Sequence, residues 1–146
     1  MINSIQKLAE ELGEWGCYFF SLCWLAEDTQ GLQLNYLSEY ADAKSKGMFD
    51  EQCNVTDGGR LFTFLCHTPI SYTVVKAGEG HPLPLDYKLL PGEREILRYE
   101  YVDSTGKTWA HFVVGDGNQK CLFDPLGDSN SVAKGKVVSR RIIRRL

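Results

Sequence analysis

The sequence has no apolar run long enough to cross a membrane. A spanning helix needs about 18 consecutive apolar residues, and polar or charged residues interrupt every stretch before that length. The amino-terminal segment also lacks the basic region and apolar core of a secretory leader. Ile5, Leu8 and Leu12 recur there between polar residues, which predicts an amphipathic helix over Ile2–Leu12. We therefore expect a cytoplasmic protein with no membrane-embedded part.

Metal-binding patterns are missing as well. The chain has five cysteines, but no two of them show the C-x-x-C spacing of a zinc or redox site. The histidines His67, His81 and His111 do not complete a zinc pattern either. We expect no metal and no cofactor. A chain of 146 residues also buries enough surface to fold without a metal or a disulfide. One nucleophilic cysteine with a distant histidine is the cysteine chemistry that remains.

Acidic residues are absent from the last part of the chain. The net charge is −3, yet the segment 134–146 contains only basic charges, at Lys134, Lys136, Arg140, Arg141, Arg144 and Arg145. Such a segment is typical of a surface for an anionic partner such as nucleic acid. Interleaved Val and Ile residues favour the other interpretation, a strand whose basic edge is solvated and resists aggregation. On that interpretation nucleic acid is not a partner.

The amino-terminal half has helical patterns. Cys17–Glu27 is apolar on nearly every side, which is typical of a central core helix. Gly13 and Gly16 precede it and predict a break, so that this helix begins near Cys17. Leu34–Lys46 has apolar residues at helical spacing and ends before a glycine suited to a helix cap.

The middle and the carboxyl-terminal half have strand and turn patterns. Asp57–Gly59 predicts a turn, and Leu61–Cys66 fits a short helix or a strand. The predicted strands are Ser71–Val75, Glu95–Val102, Lys107–Val114, Lys120–Asp124 and Lys136–Arg144. Helices followed by antiparallel strands indicate the α+β class, with one domain over residues 1–146.

Cys17 is the candidate nucleophile. A cysteine at the start of a helix meets unpaired backbone N–H groups and a partial positive charge. Both favour thiolate over thiol, and the thiolate is the reactive form. The other reading is that Cys17 is a small buried core residue, which is common for cysteine in an apolar helix.

His111 and Asp124 are candidate partners of that nucleophile. If Gly117 and Asn118 form a two-residue hairpin loop, Asp124 stands directly across from His111 on the same sheet face. A carboxylate in that place can orient an imidazole ring. The alignment depends on the loop, since one residue more or less changes the register. A structural histidine and a turn-forming aspartate are the alternative readings.

The segments Gly16–Leu22, Ala110–Val114 and Phe123–Pro125 resemble papain-like cysteine peptidases. The resemblance is greatest to the compact branch typified by double-glycine leader peptidases and to phage or prophage proteins of that fold. It implies a papain-like fold, in which a cysteine-bearing helix packs on an antiparallel sheet. It also implies a peptide or other amide as the substrate. Cys17 is then the nucleophile, His111 the general acid and base, and Asp124 the residue that orients the histidine.

Glu11 departs from that family's pattern, because a glutamine whose amide helps to hold the oxyanion is usual about six residues before the cysteine. An ionised carboxylate repels an oxyanion. The departure motivates a second hypothesis, a non-catalytic binding or accessory protein, phage-associated, on the same fold. The basic carboxyl-terminal segment motivates a third hypothesis, a nucleic-acid accessory protein.

Overall fold

The computed structural model describes residues 14–52 and 54–146. The predicted helix over Ile2–Leu12 lies outside the described residues, and so does Glu11. The described part contains four helices: α1 (Glu14–Gln30), α2 (Tyr36–Ser45), α3 (Gly58–Cys66) and α4 (Asn130–Lys134). It contains five strands: β1 (Tyr72–Gly78), β2 (Arg94–Val102), β3 (Thr108–Gly115), β4 (Cys121–Phe123) and β5 (Lys136–Arg145). The predicted α+β class is confirmed.

The five strands form one antiparallel sheet in the order β1-β5-β2-β3-β4. The basic strand β5 therefore lies inside the sheet, between β1 and β2, and its predicted position at a solvated edge is wrong. Two of its arginines have acidic partners: Arg140 pairs with Glu95 inside the protein, and the half-buried Arg144 pairs with Glu93. These acidic partners neutralise charge that the sequence alone assigned to solvent or to an anionic partner.

Helix α1 forms the centre of the core. Phe19, Phe20 and Leu22 are fully buried, and the helix packs on β3 through a contact of the Tyr18 and Phe112 rings at 4.9 Å. The predicted start of this helix near Cys17 is wrong, since α1 runs through Gly16. Glycine costs a helix only about 1 kcal/mol relative to alanine, and burial of the surrounding aromatic residues outweighs that cost.

The segment predicted as a turn begins a helix instead. The Asp57 carboxylate caps α3 by accepting a hydrogen bond from the Arg60 N–H at 3.1 Å. Gly58 and Gly59 then form the first turn of α3, and Gly59 lies against the backbone of β1. Aspartate is a preferred N-cap residue, so the same residue types fit a turn and a helix start equally well.

Each face of the sheet has its own apolar cluster. Phe112 and Val114 of β3 join the large core under α1. Val113 joins a smaller cluster with Leu97 and Tyr99 on the other face. This division follows from the alternation of side chains along a strand. The smaller cluster is covered by residues that follow β4, among them Val132 of α4.

Gly59→Ala tests the packing of α3 on β1. A Cβ atom at this position would lie 2.8 Å from Thr73 Cα and 2.9 Å from the Tyr72 carbonyl oxygen. Overpacking against backbone typically costs about 1–3 kcal/mol, so urea unfolding should show a loss of that size despite alanine's helix propensity. Ala41→Gly is the control: Ala41 is exposed on α2, so this change measures the difference in helix propensity between alanine and glycine without a packing contribution. A Gly59→Ala variant as stable as the wild type contradicts the packing.

Candidate functional site

A buried histidine–aspartate pair lies beside strand β3. His111 Nε2 is 2.6 Å from Asp124 Oδ1, and the two side chains are only 4% and 5% exposed. Charge-assisted hydrogen bonds of this length are about twice as strong as neutral ones. The structure thus brings together two of the three residues that the sequence predicted, and it leaves Nδ1 as the other ring nitrogen of His111.

Three further donors hold the Asp124 carboxylate. The backbone N–H of Leu126 donates to Oδ1 at 2.9 Å. The hydroxyl and the backbone N–H of Ser129 donate to Oδ2 at 2.7 and 3.3 Å. The carboxylate is therefore fixed by the turn that follows it, independently of His111, and it can orient the imidazole ring.

The electrostatics of Asp124 favour the ionised form. Burial raises the pKa of Asp124, but the hydrogen bond and charge of His111 lower it, as do Ser129 and the Leu126 N–H. The net result is a pKa below the usual value of an aspartate. Asp124 is consequently a carboxylate at neutral pH, which is the state that orients an imidazole ring by accepting its N–H.

The hairpin that delivers Asp124 differs from the prediction. Its loop has three residues, because the Asp116 N–H donates to the Lys120 carbonyl and Gln119 adopts the left-handed conformation at φ 65°. The predicted two-residue loop is wrong. A bulge follows, since Gly115 pairs with Cys121 while Val114 pairs with Phe123.

The loop and the bulge together keep Asp124 on the face of His111. Relative to the predicted register, the longer loop moves each β4 residue by one position along β3, and the bulge moves it by one more. A shift of one position would turn Asp124 to the opposite face of the sheet, and a shift of two positions returns it to the face of His111. Continued past Phe123, the register sets Asp124 beside Val113. Asp124 is then diagonal to His111 rather than directly opposite. Diagonal neighbours remain within reach of a long side chain such as histidine.

Cys17 lies in the part of α1 that faces the sheet. It is 2% exposed and belongs to the large core. Its neighbour Tyr18 contacts the Phe112 ring, and one turn further along, the Ser21 hydroxyl is 3.5 Å from the Phe112 carbonyl oxygen. Cys17 therefore lies on the helix that packs against the strand carrying His111.

Alternation along β3 sends His111 to the face opposite Phe112. A contact between Cys17 and His111 has to pass around the side of β3. No described strand pairs with that side of β3 at His111, because β4 pairs with β3 only at Val114 and Gly115. The Cys17–His111 pair stays a prediction, whereas the His111–Asp124 pair is present in the structure.

The other described cysteines are poor nucleophiles. Burial raises the pKa of the Cys23 thiol well above its ordinary value. Burial likewise raises the pKa of Cys66 to about 11 and, together with the charge of Asp124, that of Cys121 to about 11. Thiols with such pKa values are protonated at neutral pH and react slowly.

Ser129 is a site residue that the sequence analysis missed. It holds Asp124 and at the same time caps α4 by accepting a hydrogen bond from the Val132 N–H at 3.3 Å. A serine shortly before a short helical segment is the available signal for such a cap. α4 has five residues and no periodicity to reveal it.

Within residues 14–52 and 54–146, no cluster of His, Cys, Asp and Glu side chains has the composition and arrangement of a metal site. The helices of this same part of the chain are all too short or too polar to cross a membrane.

These features define an α+β protein with a buried histidine–aspartate pair at one side of its sheet. The chain belongs to a family of proteins of unknown function, DUF261, whose model matches residues 1–145. Neither the curated proteins nor the solved structures include a match to the chain.

Asp124→Asn tests the ionisation of the pair. Because the pKa of Asp124 is lower in the folded than in the unfolded chain, the carboxylate stabilises the fold above the unfolded pKa. That stabilisation disappears as the pH falls through the folded pKa. We expect the variant to lose about 1–3 kcal/mol of unfolding free energy at neutral pH, and less below about pH 4.

Denaturant unfolding across pH measures this difference. Asp128→Asn, at an exposed position four residues away, is the matched control and should be near neutral at every pH. If the difference in unfolding free energy between wild type and Asp124→Asn does not change on acidification, Asp124 is not held as a carboxylate by His111.

Proposed function

We propose that the protein is a cysteine hydrolase of papain-like fold that acts on a peptide or another amide. The observation that carries this proposal is the buried contact of His111 Nε2 with Asp124 Oδ1 at 2.6 Å, on the strand against which the Cys17 helix packs. A nucleophile, a base and an orienting carboxylate are the parts such a reaction needs. Cys17, His111 and Asp124 supply them in the order that the resemblance implies.

The proposed chemistry uses the two nitrogens of His111 separately. Nε2–H donates to Asp124, so Nδ1 accepts the proton of the Cys17 thiol. The thiolate attacks the amide carbonyl carbon, and the imidazolium returns the proton to the leaving amine as the C–N bond breaks. Water then attacks the thioester with His111 as its base, and the acid product leaves Cys17 as a thiol.

Alkylation of Cys17 by iodoacetamide tests the activated thiol. We expect the rate to rise with pH with a midpoint below ~8.5, the pKa of an unperturbed cysteine, because in the proposed pair His111 stabilises the thiolate. His111→Ala should lower the rate near pH 6 by about tenfold or more. Peptide mapping by mass spectrometry assigns the modified cysteine.

His81→Ala is the control for that experiment, since His81 is exposed and its loss should leave the rate unchanged. Circular dichroism checks that each variant is folded. Alkylation of Cys17 no faster than that of a model thiol, and insensitive to His111→Ala, contradicts the proposed hydrolase.

A non-catalytic binding protein on the same scaffold is the second candidate. The burial of Cys17, with 2% exposure, favours it, because substrate must reach the sulfur of a nucleophile. On this proposal Cys17 is a core residue and the His111–Asp124 bond stabilises the sheet. Cys17→Ala would then leave ligand recognition intact, and the alkylation experiment above would give its negative result. The pairing of Arg140 with Glu95 and of Arg144 with Glu93 argues against nucleic acid as the ligand.

A further inference from the structure

A second ion pair is buried on the same face of the sheet as His111. Arg140 Nε donates to Glu95 Oε1 at 2.7 Å, and the two side chains are 1% and 0% exposed. Burying both charges is costly, and a buried ion pair is weak evidence for stability by itself. The role of the Glu95–Arg140 pair is better inferred from the other groups that each side chain contacts.

The second carboxylate oxygen of Glu95, Oε2, binds the β3–β4 loop. Oε2 accepts hydrogen bonds from the backbone N–H groups of Gly117 at 2.7 Å and Gln119 at 3.0 Å. Gly115 makes room for this carboxylate, since a Cβ there would lie 2.5 Å from Oε2. Glu95 thus binds the loop by its backbone at Gly117 and Gln119, the two loop residues with positive φ.

Arg140 anchors the carboxylate from the opposite side. Its Nη1 donates to the carbonyl oxygens of Leu85 and Tyr87 at 2.8 and 2.6 Å. The Gln119 side-chain amide donates to the same Leu85 carbonyl at 3.1 Å. Strands β2 and β5, the segment around Leu85 and the hairpin loop are consequently joined through one pair of charges.

We propose that Glu95 and Arg140 are positioning residues for His111 and Asp124. The loop length sets the register of β4 on β3, and the register sets whether Asp124 reaches the face of His111. A loop shortened or lengthened by one residue would turn Asp124 to the opposite face. The importance of this positioning for catalysis rests on the proposed function, but the positioning itself does not.

Glu95→Gln tests the proposal, because it removes the charge that holds Arg140 and weakens the loop contacts. Proton NMR detects the His111 Nε2–H, which resonates far downfield while it is bonded to Asp124. We expect that resonance to disappear or move upfield, and the His111-dependent alkylation of Cys17 to fall by about tenfold to a hundredfold, as a misplacement of about 1 Å does.

Glu93→Gln is the matched control. Glu93 is also a nearly buried carboxylate, 7% exposed, and it pairs with Arg144 and not with the loop. We expect this variant to keep the downfield resonance and the alkylation rate. A loss of both in Glu93→Gln as large as in Glu95→Gln would assign the effect to general destabilisation and overturn the proposal.

Two further variants decide the matter if Glu95→Gln does not fold. The double variant Glu95→Met/Arg140→Leu replaces the pair with apolar groups, which a buried site tolerates, while it removes the acceptor of the loop N–H groups. Gly115→Ala keeps both charges and displaces the carboxylate by contact. Folded variants that retain the downfield resonance overturn the positioning role.

The outcomes separate this proposal from the hydrolase. Alkylation of Cys17 that ignores His111 in the wild type contradicts the hydrolase. The downfield resonance then still reports whether Glu95 and Arg140 position His111 and Asp124.

Discussion

The buried carboxylate of Asp124 is the constraint around which this side of the molecule is organised. Removing an isolated carboxylate from water costs several kcal/mol of free energy unless hydrogen bonds replace its hydration. Asp124 obtains four such bonds, from His111, Leu126 and Ser129. The turn after β4 and the cap of α4 are parts of this arrangement, since Ser129 contributes to both. The local fold and the candidate site are therefore the same set of interactions.

The sheet separates an apolar side from a side with buried charges. Under α1 the core is aromatic and aliphatic, and Phe112 of β3 belongs to it. The other face carries both His111–Asp124 and Glu95–Arg140. Buried ionic groups have been linked to specificity of register in other settings, where they disfavour alternative pairings. Here the alternative is a shifted β3–β4 hairpin, in which Asp124 would lose its contact with His111 and Glu95 would lose the N–H donors of the loop.

Sequence patterns predicted most of the strands from short apolar segments bounded by turn residues, and the central helix from a longer segment that is apolar on nearly every side. β2, β3 and β5 were recognised within one residue of their ends. The helix start was wrong because glycine's local preference is small beside aromatic burial. The turn at Asp57 was wrong because a capping aspartate and a turn aspartate look alike.

The His111–Asp124 pair was predicted correctly, but from a loop that does not exist. The N–H groups of the three-residue loop donate to Glu95, which is far from the hairpin in sequence. No local pattern contains that contact. The interior position of β5 was missed for a similar reason, since its neutralising partners Glu93 and Glu95 come from β2 and the segment before it.

The proposed hydrolase requires Cys17 and His111 to meet at one side of β3. Treatment with dibromoacetone, a short reagent with two alkylating carbons, tests this contact most directly, because the second carbon reacts only with a nucleophile close to the first. We expect a single covalent link between Cys17 and His111, found by peptide mapping and lost in Cys17→Ser. Modification of Cys17 at one end only, with His111 unreacted in the folded protein, would contradict it.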